Sequence, residues 1–92
     1  LQARADLWEE RVQAVARALA IDLAGLPDQK SAPEKLRIAA MMKRITSVSN
    51  RWLAARLQMG EPTSVAPFLH RFALRGGTVT PQFRAALSRI SV

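Results

Sequence analysis

Apolar residues in this chain recur every three or four positions and nowhere alternate over a strand's length, so the pattern admits helices and little else. Trp8, Val12, Val15 and Leu19 line one face of a first helix predicted over about residues 4–24, stopped by Gly25 and Pro27. "LPDQKSAP" reads as a loop. Ser31 and Glu34 have capping-box spacing and Pro33 suits a first helical turn, so Ser31 is expected to cap a second helix running to about Ile45. Its apolar face is Ile38, Met42 and Ile45, with Leu36, Ala39 and Ala40 beside it. Lys35, Arg37, Lys43 and Arg44 fall on the polar remainder.

"TSVS" breaks that helix, and Ser49 is the expected cap of a short third one over about 50–58. Val48 and Leu53 flank the cap as a hydrophobic staple, Leu57 points inward, and Gly60 is expected to end the helix. Val65, Phe68, Leu69 and Phe72 define a fourth helix over about 63–74. A cap at Thr63 or Ser64 leaves Pro67 in its first turn, whereas an earlier start demands a kink. Gly76 or Gly77 closes this helix. Thr80 caps a last one that opens at Pro81 and turns Phe83, Leu87 and Ile90 inward. The expected fold class is all-α, about five helices.

With 92 residues the chain suffices for one small domain. It has no cysteine, which excludes disulfides and thiolate metal sites and fits the cytoplasm. The longest apolar stretch, Ala14–Leu26, is interrupted by Arg17 and Asp22, far short of a membrane span, and no secretory signal is visible. Met41, Met42 and Met59 read as packing residues, and Trp52 as a side chain that seals the core. One histidine, no tyrosine and no paired carboxylates in the basic region leave no catalytic constellation. No cofactor, metal or small-molecule substrate is expected.

The net charge of +7 is unevenly placed. Residues 1–30 carry four basic and five acidic side chains, residues 31–92 ten basic and two acidic. A concentrated cationic surface points to a polyanion. Within that region, Leu53-Ala54-x-x-Leu57-x-Met59, a turn, and then Val65 and Leu69 have the form of a helix-turn-helix over about 49–73. Gln58 stands where many such motifs have glycine, and Gly60 follows two residues later. Thr63 and Ser64 would open the recognition helix with short hydrogen-bonding side chains at base edges. Lys43, Arg44, Arg51, Arg56, His70 and Arg71 would hold phosphates on either side. Glu61 at the tip opposes this unless it caps the helix or accepts from a cytosine amine.

The stretch "KLRIAAMMKRITSVSNRWLAARLQMGEPTSVAPFLHRF" resembles the C-terminal helical segment of bacterial tyrosine transposases associated with repetitive palindromic elements. The matching residues are Arg51-Trp52-Leu53-Ala54, Leu57, Met59-Gly60 and Thr63-Ser64-Val65, and the likeness covers about residues 31–73. The same stretch is similar, without gaps, to the DNA-binding domain of the replication initiator DnaA and its Trp-repressor-like relatives. There Thr63-Ser64-Val65 falls on the hydroxyl pair and valine that open the recognition helix. Gly60, Glu61 and Pro62 replace a basic, histidine-containing turn of DnaA. Such transposases use a nucleophilic tyrosine and two metal-binding histidines, so the resemblance implies either the non-catalytic part of such a protein or a stand-alone relative that kept the DNA-binding piece.

The chain divides accordingly into an N-terminal amphipathic helix and loop (1–30), a helix-turn-helix core (31–75) and a C-terminal helix (76–92). The expected partner is double-stranded DNA on the nucleoid, with homodimerisation through the N-terminal helix a further expectation. The competing readings are a helical protein-interaction module with an incidental basic surface, and an RNA-binding domain. The scarcity of aromatics for base stacking disfavours the RNA reading.

Overall fold

The computed structural model describes the backbone over residues 2–90 and the side chains over 4–90. Five α-helices follow one another: α1 (Gln2–Ala18), α2 (Pro33–Ile45), α3 (Asn50–Leu57), α4 (Pro62–Leu74) and α5 (Pro81–Ile90). A single 3₁₀ turn, Leu23–Gly25, lies between α1 and α2. The fold is all-α, and no strand occurs among the described residues.

One apolar cluster joins all five helices. Val12, Val15 and Ala16 come from α1; Leu36, Ile38, Ala39, Met41 and Met42 from α2; Leu53, Ala54 and Leu57 from α3. Val65 and Phe72 of α4 and Phe83 and Ala86 of α5 belong to it as well, as do Ala40, Val48 and Met59. The three methionines are all fully buried, filling gaps that branched side chains would leave. The apolar face of α1 is thus consumed within the chain, against α2 and α5. Trp8 and Trp52 meet edge to face, centroids 5.8 Å apart, and fasten α1 to α3. Trp52 is half-buried, covering the core edge rather than filling it. On α5 it is Phe83 and Ala86 that reach the interior, while Leu87 and Ile90 pack at its margin.

Three helices end in the same way, and only one uses glycine. At α1 the amide of Ile21 donates to the Ala16 carbonyl (2.8 Å) and that of Ala20 to Arg17 (3.1 Å), with Ala20 left-handed at φ 57°. This is a Schellman closure. It stops α1 at Ala18, six residues short of the expected end, and Asp22 then caps the 3₁₀ turn by accepting from Ala24 (3.0 Å). At α3 the amide of Met59 donates to Ala54 (2.9 Å) around a left-handed Gln58 at φ 54°. Gln58, not Gly60, therefore ends α3, and Gly60 makes the next bend at φ 90°. At α4 the amides of Gly77 and Gly76 donate to Phe72 and Ala73 (3.0 and 2.9 Å), with Gly76 at φ 80°.

The starts of α3 and α5 follow the expected caps: Ser49 Oγ accepts from the Trp52 amide (3.1 Å) and Thr80 Oγ1 from Phe83 (3.2 Å). The other two differ. Pro33 forces the residue before it into an extended conformation. That residue is Ala32, which is buried and occupies the cap position without a side-chain bond, so the Ser31–Glu34 capping box does not form. By the same logic Pro62 is the first residue of α4 and Glu61 stands at its cap position, again without a side-chain bond, so its carboxylate does not cap the helix. Thr63 and Ser64 lie inside the first turn rather than capping it, and Pro67 falls inside the helix, where it has no N–H for the Thr63 carbonyl.

Candidate nucleic-acid interface

α3 and α4 pack closely on each other, joined by residues 58–61, and α4 also rests on α2. This pair carries most of the residues singled out from the sequence. The connection is gripped from within by Lys35. Its side chain is only 1% exposed, and Nζ donates to the Gln58 carbonyl at 3.0 Å. Lys35 was expected on the polar face of α2. It lies instead on the line of Ile38 and Met42, three and seven residues on, and its stem packs inward while its ammonium meets a carbonyl turned toward it. From outside, the stem of Lys30 crosses the turn: a Cβ on Gly60 would stand 3.0 Å from its Cδ. Lys30 is exposed and makes no ion pair among the described residues.

α4 buries Val65 and Phe72 and half-buries Phe68 and Leu69. Its opposite face, Thr63, Ala66, Pro67, His70, Ala73 and Leu74, is exposed along the whole helix. Thr63 and His70 therefore share one outward stripe, with Ser64 half-buried at its edge. Arg71 stands beside it with its guanidinium over the Phe68 ring, 5.6 Å from the centroid, and Arg75 follows the helix end.

The remaining candidates are more dispersed. Arg51 is exposed on the first turn of α3. Lys43 is exposed at the end of α2 and donates to the Val48 carbonyl (3.0 Å), bracing a turn whose Thr46 hydroxyl donates to Met42 (2.7 Å) and accepts from Val48 (3.1 Å). Arg44 leans toward α5, 5.8 Å from the Phe83 centroid.

Arg56 differs from the expectation of a free phosphate clamp. Its Nε and Nη2 donate to the two carboxylate oxygens of Glu9 at 2.7 and 3.0 Å, a fork-to-fork pair between α3 and α1. Gln13 donates to the same carboxylate at 2.8 Å. Hydrogen bonding by Arg56 holds the Glu9 carboxyl below its usual value against a smaller opposing effect of burial, with Gln13 adding to the lowering. The bond to Glu9 raises the Arg56 pKa in turn. This is the one ion pair among the described residues.

No cluster of three or more His, Cys, Asp or Glu side chains suited to a metal occurs among the described residues, and no described helix is long and apolar enough to cross a membrane. Compared with protein-family models, curated proteins and solved structures, the chain matches none.

Proposed function

We propose that this domain binds double-stranded DNA, with α3, the 58–61 turn and α4 acting as a helix-turn-helix and α4 as the helix that enters the major groove. The observation that carries this reading is the distribution of unneutralised charge around α4. Lys30 lies over the turn before it, Arg51 opens the neighbouring helix, and Arg71 and Arg75 stand at its far end. None of them is ion-paired among the described residues. A duplex supplies phosphates along both walls of the groove, and neutralising them releases bound counterions. Thr63 and Ser64, the second and third residues of α4, occupy the part of a recognition helix that reaches base edges. The likeness of residues 31–73 to the DNA-binding segment of tyrosine transposases supports the same reading and suggests a non-catalytic role.

The experiment is fluorescence anisotropy with a random duplex and the matching single strand, titrated with salt. The domain binds the duplex more tightly than the single strand, and the logarithm of the binding constant falls linearly with the logarithm of salt concentration. Arg51→Ala reduces that slope by about one and weakens all sequences alike, whereas Thr63→Ala relaxes preference among sequences. Absence of duplex binding at about 100 mM salt, where nonspecific contacts still register, overturns the proposal.

A further inference from the structure

The outward stripe of α4 is unusual for a helix facing a duplex. Thr63, Ala66, Pro67, His70, Ala73 and Leu74 are exposed, and at the stripe's edge Arg71 is the one exposed Arg, Lys, Asn or Gln on the helix. Those four side chains supply the bidentate pairs that read guanine through O6 and N7, or adenine through N6 and N7. Arg71, the nearest candidate, is folded over Phe68. The stripe offers instead a threonine methyl, an alanine methyl, a proline ring and one imidazole over its first two turns. In the major groove the complementary feature is the C5-methyl of thymine, the one apolar group on a base edge.

We infer that α4 selects its site by packing against thymine methyl groups, so that the preferred ligand is a duplex whose major groove presents A·T pairs beneath Thr63, Ala66 and Pro67. The inference rests on the DNA-binding reading and deepens it. The charge pattern specifies DNA, rather than a protein, as the occupant of this apolar face. The stripe from Thr63 to Leu74 is roughly 17 Å long at 1.5 Å per residue. Unpaired cations bracket it, Lys30 over Gly60 at one end and Arg71 and Arg75 at the other. The exposed Glu61 carboxylate shares the first end with Lys30, so the net cationic end is that of Arg71 and Arg75, and an apolar ridge ending in cations matches a major groove about 12 Å wide and walled by phosphates. His70, a turn beyond Ala66, adds a single donor or acceptor for an adjacent purine.

The test begins with selection of bound sites from a random duplex library. The enriched sites are then remade with deoxyuridine in place of thymidine, one position at a time, which removes the methyl and leaves every hydrogen-bonding group. Enrichment of A·T pairs is expected, with two or more positions at which loss of the methyl weakens binding about fourfold, the factor for burying one methyl-sized group. Pro67→Ala and Ala66→Ser shrink the thymidine-to-deoxyuridine ratio at those positions without changing the salt slope. Enriched sites whose affinity is indifferent to deoxyuridine, or that centre on guanine, overturn this inference and leave DNA binding standing. A chain that enriches no duplex and shows no salt-dependent binding overturns both.

Discussion

Lys35 offers the sharpest test of how the α3–α4 turn is held. A buried ammonium with one protein partner is a costly arrangement, and replacing such a group by an apolar side chain of similar length is in some proteins stabilising. Here the opposite is expected, because the partner is the carbonyl of a residue in left-handed conformation whose orientation the turn fixes. In Lys35→Met the stem is retained and the Gln58 carbonyl loses its donor. An unsatisfied, partly buried acceptor costs about 1–3 kcal/mol, and recovery of the ammonium's hydration offsets part of it, so the net loss is about 1–2 kcal/mol. In Lys35→Ala three methylenes go as well. At about 0.8 kcal/mol each, the loss rises to roughly 3–4 kcal/mol. Urea denaturation followed by tryptophan fluorescence separates the two, since Trp8 and Trp52 meet edge to face across α1 and α3. For a domain of this size the methionine variant melts roughly 5–15 °C lower. A Lys35→Met protein as stable as the parent, with an unchanged urea slope, would refute the reasoning: the hydrogen bond would then do no more than offset the cost of burying the charge.

Gln58→Gly relieves the left-handed backbone at φ 54° while keeping the carbonyl that Lys35 grips, and should stabilise the domain by up to about 1 kcal/mol in the same assay. Gly77→Ala does the reverse, because a Cβ there overlaps the ring of the buried Phe72; a loss of about 1–3 kcal/mol is expected, against little change for Gly25→Ala, whose closest neighbour is the end of the exposed Asp22 side chain. The Glu9–Arg56 pair is partly exposed, so its worth is at most about 1 kcal/mol even in bidentate geometry. Because the folded-state pKa of Glu9 is lowered, this contribution is complete at neutral pH and disappears as pH falls through the usual carboxylate value and then the lowered one. The stability gap between the parent and Glu9→Gln, measured by urea titration, should therefore be present at about pH 7 and close as the carboxylate is protonated; a gap independent of pH would show that it does not arise from the charge on Glu9, and no gap at neutral pH that Arg56 holds the amide as well as the carboxylate.

Helix positions were legible in the sequence because both sources of information were local: the apolar period, and short caps such as Ser49 and Thr80 whose hydroxyls meet an amide three residues on. The misplaced helix ends share one cause. Where the chain turns left-handed at Ala20 and Gln58, the residue has no intrinsic preference for that conformation, and tertiary burial of Ile21 and Met59 just beyond it drives the turn. The glycines that commonly mark such a closure stand further on, five residues beyond Ala20 at Gly25 and two beyond Gln58 at Gly60. At the starts of α2 and α4, the proline that fixes the first helical residue also determines which neighbour becomes the cap, and it overrode the hydroxyl residues nearby.

Charge was harder to place than shape, because a cation's role depends on what the fold sets beside it. Lys30 belongs by sequence to the acidic first third yet lies across Gly60. Lys35 lies beneath the same turn, and Arg56, the arginine nearest that turn in sequence, faces Glu9 on α1. Only Lys35 left a trace in the pattern, three residues before Ile38 and seven before Met42 on an otherwise apolar face. The other two depend on contacts between distant segments. These contacts also reassign the labour among the basic residues. Lys35 and Lys43 brace turns and Arg56 ties two helices, whereas Lys30 lies over the turn before α4 and Arg71 and Arg75 are exposed at its far end.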